Sequence, residues 1–313
     1  MNTFVCRLVD RINRYVELRR SLGYSFESQA ATLRAFGRFV RRRAEVGPLT
    51  QRLVLTFVLG CPVTPNVRAR RYAVLKSFAD YFAIFDSRTE ALDPQALPRS
   101  RAIPPARLLE EGELARLLKA AREISQLHLL RGFTLFTIIG LLASTGLRSG
   151  EVARLDRSDV DLERGILRIR GTKFRKDRLV PVHPTTLEVL RTYVTARDKA
   201  YPQSTSPAFF LSLRGGRWTQ SGFGKAFRQA RAKADLDQNL HRQLRPHDLR
   251  HRFATTRLVA WYREGVDVQA RLPLLATYLG HTRYSDTAYY ITGTPELLGL
   301  AASRAFGPEG GAR

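Results

Sequence analysis

Ile166-Leu-Arg-Ile-Arg-Gly-Thr-Lys-Phe-Arg-Lys-Asp-Arg-Leu-Val-Pro-Val182 holds the only good strand signals in this chain. Ile166 to Arg170 alternates apolar and charged residues, as a half-buried strand does. Leu179-Val180-Pro181-Val182 follows a short basic connection, so the two runs read as a hairpin with Gly171 to Arg178 at its tip. Everything around this hairpin reads as helix. The expected fold class is therefore mainly α with a small antiparallel β-sheet.

Upstream, apolar residues recur at helical spacing: Phe4, Leu8, Ile12, Tyr15 and Leu18 in Phe4–Arg20, then Phe26, Leu33, Phe36, Phe39 and Val40 in Ser25–Arg43. A shorter helix over about 50–59 has Thr50 as its cap. Another, over about 65–85, turns Tyr72, Leu75, Phe78, Tyr81 and Phe82 to one side. Residues 1–92 thus read as a helical bundle with basic faces (Arg19-Arg20, Arg41 to Arg43, Arg68 to Arg71). Asp93 to Pro105 carries Pro94, Pro98, Pro104 and Pro105, a composition that resists helix and sheet, and reads as a linker over 93–105. The second domain, 106–313, opens with a helix over 108–122, acidic at its N-terminal end where the helix dipole favours Glu110, Glu111 and Glu113. An apolar helix over 132–144, a helix from about Ser149, the hairpin, and helices over about 185–200, 219–235, 247–263, 271–279 and 285–290 follow. The stretch Leu297 to Phe306 precedes a Gly-rich tail.

The 313 residues, 44% of them hydrophobic, suffice for a core in each of two domains. Lys and Arg number 52 against 28 Asp and Glu, a formal net charge of +24, and the excess is present both before and after residue 103. Such a chain repels itself and is drawn to polyanions, of which nucleic acid leads. Seven of the basic residues are Lys and 45 are Arg. A lone Arg is therefore weak evidence of a site, whereas a Lys is scarce enough to notice. Cys6 and Cys61 form no C-x-x-C pair and no disulfide framework, which suits a reducing cytoplasm. The longest uncharged run, Gly132 to Leu147, is shorter than the ~20 residues of a membrane helix and reads as a buried core helix.

Four segments carry chemistry: Ser144-Thr-Gly-Leu-Arg-Ser-Gly-Glu151, the hairpin tip with Lys173, Arg245-Pro-His-Asp-Leu-Arg-His251, and Leu279-Gly-His281 with Tyr290 nine residues later. They make a phosphoryl-transfer set without metal ligands. Arg148 and Arg250 are fixed-charge forks suited to the non-bridging oxygens of a phosphodiester, where stabilising charge is a large catalytic term. His247 lies three residues before Arg250, on one face of a helix that starts after Pro246. A tyrosine can attack phosphorus and hold it covalently, and a Lys or His can protonate the departing oxygen. Taken singly, each has a plainer reading: Arg148 as a surface arginine, His247 as a buried histidine, Lys173 as a solvated charge, Tyr290 as core packing. Their joint occurrence, each within its own short motif, favours chemistry. His247-Asp-Leu-Arg-His251 matches the spacing of an H-E-x-x-H zinc site, but it has Asp for Glu and sets Arg250 beside the cation, so a zinc hydrolase is set aside.

In T-G-L-R-x-x-E, H-x-L-R-H and L-G-H followed by Tyr, in that order, the chain resembles the tyrosine recombinases: phage integrases, Xer-type and transposon recombinases. The resemblance implies an N-terminal helical, SAM-like core-binding domain and an α+β catalytic domain forming a C-shaped clamp on DNA. It implies that Arg148 and Arg250 clamp the scissile phosphate, His247 accepts the nucleophile's proton, and Lys173 is the general acid. His281 supports the phosphate or nucleophile, Glu151 orients its neighbours, and Tyr290 forms a 3′-phosphotyrosyl link, with no metal or other cofactor. The implied partner is double-stranded DNA bearing specific recombination sites. Four protomers would assemble on it, with or without partner recombinases, in a bacterial cytoplasm and at the nucleoid, with no membrane involved. Two choices rest on family spacing: Tyr290 over the adjacent Tyr289, whose side chain points ~100° away on a helix, and Lys173 over Lys176. The helix beginning near Leu297 either packs on its own domain or docks in a neighbouring protomer. A type IB topoisomerase or telomere resolvase shares the same residue set, and a non-catalytic DNA-binding relative is the remaining alternative.

Overall fold

The structure is a computed structural model that describes residues 3–98, 107–125, 128–170, 177–237, 243–281, 287 and 295–306. The chain divides into two compact units, Met1–Ile103 and Pro104–Arg313.

The first unit is built from α1 (Thr3–Ser21), α2 (Glu27–Arg42), α3 (Gln51–Leu59) and α4 (Pro65–Ala83). Most of the set picked out by helical spacing forms its core: Leu8, Ile12, Leu33, Phe36, Leu75, Phe78 and Phe82 are buried, whereas Leu18, in the last turn of α1, is exposed. Thr50 does cap α3, its side chain accepting from the Leu53 N–H at 3.2 Å. Some arginines lie against rings, with the Arg11 guanidinium 3.7 Å from the Phe85 ring centroid and that of Arg43 5.5 Å from the Phe39 centroid, whereas Arg41 and Arg42 are exposed at the end of α2. The described part of the expected linker is tied to this unit. Tyr72 donates to the Asp93 carbonyl at 2.7 Å, Gln51 accepts from the Asp93 N–H at 2.8 Å, and Ala96 and Leu97 pack on the core.

The second unit opens with α5 (Glu111–Arg122) and α6 (Leu129–Thr145). The Glu113 carboxylate accepts from the Glu110 N–H at 3.1 Å, so these glutamates close the N-terminus of α5. Helix α6 is buried along its length, with Leu135, Ile138, Ile139, Leu141 and Leu142 inside. It is also the longest apolar helix, and among the described residues no helix is long and apolar enough to cross a membrane. After α7 (Ser149–Arg154) and a 3₁₀ turn (Arg157–Asp159) comes an antiparallel sheet of β1 (Val160–Asp161), β2 (Ile166–Ile169) and β3 (Arg178–Pro181), in the order β1-β2-β3. Ile169 lies opposite Arg178 and Ile166 opposite Pro181, so Leu167, Ile169 and Val180 face the core. The strand β1 is unforeseen, since two residues carry no alternation. Arg178, read as part of the tip, is the first residue of β3.

Helices α8 (Pro184–Ala200), α9 (Gln220–Lys233), α10 (Pro246–Arg263), α11 (Val268–Leu279) and α12 (Pro295–Phe306) complete the unit. Helix α11 begins before the expected 271 because the Asp267 side chain accepts from the Gln269 N–H at 2.9 Å and the Ala270 N–H at 3.2 Å. One core joins α5, α6, the sheet, α8 and α9. A second joins α10, α11 and α12, where Leu297 is buried with Leu258, Leu272 and Leu275. In the isolated chain, then, the last helix packs on its own domain. The expected helix over 285–290 lies outside the described residues, apart from Thr287.

Candidate active site

Three of the short motifs found in the sequence, T-G-L-R-x-x-E, H-x-L-R-H and L-G-H, lie at helix ends, and these ends gather at one place. Gly146 closes α6 in the left-handed conformation, φ +64°. A Cβ there would sit 2.7 Å from the Phe253 ring and 2.8 Å from Leu279, so the position requires glycine twice over. Leu147 then enters the core, and Arg148 becomes the N-cap residue of α7. The Glu151 carboxylate turns back to accept from the Arg148 N–H at 3.0 Å, satisfying a donor that the first helical turn leaves open. T-G-L-R-x-x-E is thus a helix stop, a core anchor and a helix start.

Leu279-Gly280-His281 is the end of α11. Gly280 is left-handed, φ +70°, and the His281 N–H returns to the Ala276 carbonyl at 2.9 Å. The turn faces both arginines. Arg250, on α10 and 1% exposed, donates from Nη2 to the Leu279 carbonyl at 2.7 Å and from Nη1 to the Gly146 carbonyl at 2.8 Å. Arg148 donates from Nη2 to the Gly280 carbonyl at 3.2 Å and from Nη1 to Glu151 at 2.9 Å. Arg148, more than a hundred residues before the other two, and Arg250, 29 residues before Leu279, therefore share one backbone turn.

Arg148 is the accessible member, its side chain 39% exposed, whereas Glu151 beside it is 3% exposed. Burial pushes the Glu151 carboxyl up, but hydrogen bonds from Arg178 and the Arg148 backbone, with both guanidinium charges, outweigh it and hold the group down at about 2. Arg178 contributes a fork, Nη1 to Glu151 Oε1 at 3.1 Å and Nη2 to Oε2 at 2.9 Å. This residue was missed in the sequence. One Arg among 45, at what read as a hairpin tip, carries no signal. Its place in the strand, opposite inward-facing Ile169, comes from the folded register.

His247 is exposed on the first turn of α10, and Arg250, one turn on, is buried. The His247 ring stands perpendicular to that of His251, centroids 4.8 Å apart. Asp248, which the zinc-like spacing would place between metal ligands, instead caps its own helix, accepting from the Arg245 N–H at 2.7 Å. Among the described residues no three His, Cys, Asp or Glu side chains gather as metal ligands. His281 has its Nδ1 2.7 Å from the Thr287 hydroxyl, and Thr287 is buried. Lys173, with Lys176, and Tyr290, with Tyr289, lie outside the described residues. A cleft of about 430 Å³ opens beside Glu151, lined among others by Arg154, Arg168, Arg170 and Arg217.

Residues 107–296 match the model of the phage integrase family. That stretch contains every residue of the candidate site. The chain belongs to the phage integrase family of tyrosine recombinases. The recombinase is 55% identical over 306 residues to the putative integrase/recombinase y4rE of Sinorhizobium fredii, with 98% of each chain covered. It is 36% identical over 184 residues, 58% of this chain and 57% of the other, to the tyrosine recombinase XerD of Staphylococcus epidermidis. Among solved structures it is similar to the Tn1549 transposon integrase in complex with transposon right end DNA, with a TM-score of 0.65 and 17% identity, over 97% of this chain and 99% of that one. At that identity the likeness shows the fold.

Proposed function

We propose that this recombinase cleaves and rejoins DNA strands at specific sites through a covalent 3′-phosphotyrosyl intermediate on Tyr290. The observation that carries the reading is the shared turn: the guanidinium groups of Arg148 and Arg250 both end on the carbonyls of Leu279-Gly280, next to His281. Two fixed positive charges and an imidazole at one turn match what a phosphodiester needs as it becomes pentacoordinate, and removing one such donor typically slows chemistry about 10²–10³-fold. In the proposed step the Tyr290 hydroxyl oxygen attacks phosphorus and its proton passes to His247. The bond from phosphorus to the 5′ oxygen breaks, and Lys173 donates the proton that leaves with the 5′-hydroxyl. Arg148 and Arg250 offset the charge on the non-bridging oxygens, His281 supports the phosphate or nucleophile, and Glu151 orients Arg148. Rejoining is the reverse attack by a 5′-hydroxyl. One phosphoester replaces another throughout, so no energy source is consumed.

The first unit is assigned to DNA binding and the second to catalysis, joined through 93–105. The net charge of +24 supports DNA as the partner of both, and the Tn1549 integrase, similar in fold, is bound to DNA in its own structure. Four protomers on two DNA sites, alone or with partner recombinases, acting on nucleoid DNA in a bacterial cytoplasm, belong to the same proposal; membership of the family supports this reading. The test is to map covalent protein–DNA cleavage positions on DNA flanking the encoding gene in its native genome. Discrete 3′-linked positions at paired sites are expected. Cleavage without site preference would indicate a topoisomerase-like enzyme, and binding without any adduct would indicate a non-catalytic relative.

A further inference from the structure

We propose that Arg178 is a positioning residue for strand cleavage: it occupies the charge of Glu151 so that the charge of Arg148 stays available to the scissile phosphate, and it fastens the base of the β2–β3 hairpin to the turn that carries His281. The inference rests on the reading of Arg148 as a phosphate clamp and deepens it.

The geometry is specific. Glu151 is a buried carboxylate with two guanidinium neighbours. Arg178 meets it with a fork, through both Nη atoms and both carboxylate oxygens, whereas Arg148 gives it one side-chain donor and keeps Nη2 on the Gly280 carbonyl. Exposure separates the two partners, since Arg178 is 10% exposed and Arg148 39%. The arginine that can reach a ligand is therefore the weaker partner of the carboxylate, and the one that cannot is the stronger. With one negative and two positive charges, the cluster keeps a net positive charge, and that charge faces solvent at Arg148. With Arg178 absent, Glu151 would draw Arg148 into a neutral pair, because a buried carboxylate without a full partner is costly.

The second tie is mechanical. The Arg178 Nε donates to the Tyr278 carbonyl at 2.9 Å, and the Tyr278 hydroxyl donates to the Pro181 carbonyl at 3.0 Å, so β3 and the end of α11 are bound at both ends of the strand. A Cβ on Gly280 would lie 2.6 Å from Arg178 Nη1. The glycine of L-G-H is therefore needed for the passage of this guanidinium as well as for its positive φ. Arg178 lies five residues after Lys173 in the chain.

The test compares Arg178→Gln, Arg178→Lys, Glu151→Gln and the double variant R178Q/E151Q in the full chain, each checked for cooperative thermal unfolding. The substrate is a nicked duplex of a mapped cleavage site. R178Q is expected to slow covalent adduct formation about 10²-fold, as loss of one phosphate-stabilising charge does. DNA affinity should stay within roughly threefold, because only one of many phosphate contacts is affected. The double variant should regain at least about tenfold over R178Q, a non-additivity expected when two residues act on one charge. R178K, which keeps the charge without the fork, should regain activity as well. A folded double variant and a folded R178K that are both as slow as R178Q would overturn the proposal, leaving Arg178 with packing alone. Crystal structures of wild type and R178Q provide a readout independent of cleavage. Arg148 turned with both Nη atoms onto Glu151 in the variant supports the proposal even if wild type forms no adduct, a result that would count against the functional reading instead. Arg148 unmoved in R178Q would contradict it.

Discussion

At the scale of single residues, the site is organised around a buried carboxylate. Glu151 is held at about 2 against an ordinary 4.5. A carboxyl whose pKa is lower in the folded than in the unfolded chain adds stability above its unfolded pKa and loses it as pH falls toward the folded value. The shift corresponds to about 3 kcal/mol. It should be fully present at pH 6 and lost progressively from about pH 5 down to about pH 2. Urea midpoints of wild type and Glu151→Gln measured over this range should converge as the pH falls. A constant gap would mean that Glu151 contributes by shape alone. The grouping of Arg148, Glu151 and Arg250 around the turn before His281 was marked in the sequence because their motifs are also helix boundaries, and caps and glycine turns leave marks in residue order. Arg178 was not legible: in a chain with 45 arginines its role comes from a partner 27 residues away, and only the folded register brings the two together.

At the scale of elements, helical spacing located every long helix of the first unit, since each buries one apolar stripe. It misplaced the start of α11, where the Asp267 cap sets the helix beginning at Val268, and a two-residue strand such as β1 has no pattern to read. The last helix carries a prediction of its own. Leu297 is fully buried among residues of α10 and α11 of the same chain. Leu297→Ala should therefore cost about 2–5 kcal/mol of stability, read as a lower urea midpoint that does not change with protein concentration. A loss that appears only at high concentration would mean that this leucine is seated in a neighbouring protomer.

At the scale of the whole molecule, charge is the feature most plainly written in the sequence, and the covalent chemistry is the least visible in the fold alone. A net charge of +24 shared between the two parts of the chain predicts binding dominated by counterion release. With some 6–10 phosphate contacts, affinity should fall about 10³–10⁵-fold between 50 and 200 mM salt. An affinity nearly flat in salt, measured by titration on duplex DNA, would contradict this. The central claim is that a tyrosine nine residues beyond His281 holds the cut strand. Its most direct test is to trap the protein on a nicked duplex of its own mapped site and identify the modified residue by mass spectrometry. The account predicts a DNA adduct on Tyr290 that is absent in Tyr290→Phe and retained in Tyr289→Phe. An adduct that persists in Tyr290→Phe and disappears in Tyr289→Phe, or one carried by any other residue, would contradict it.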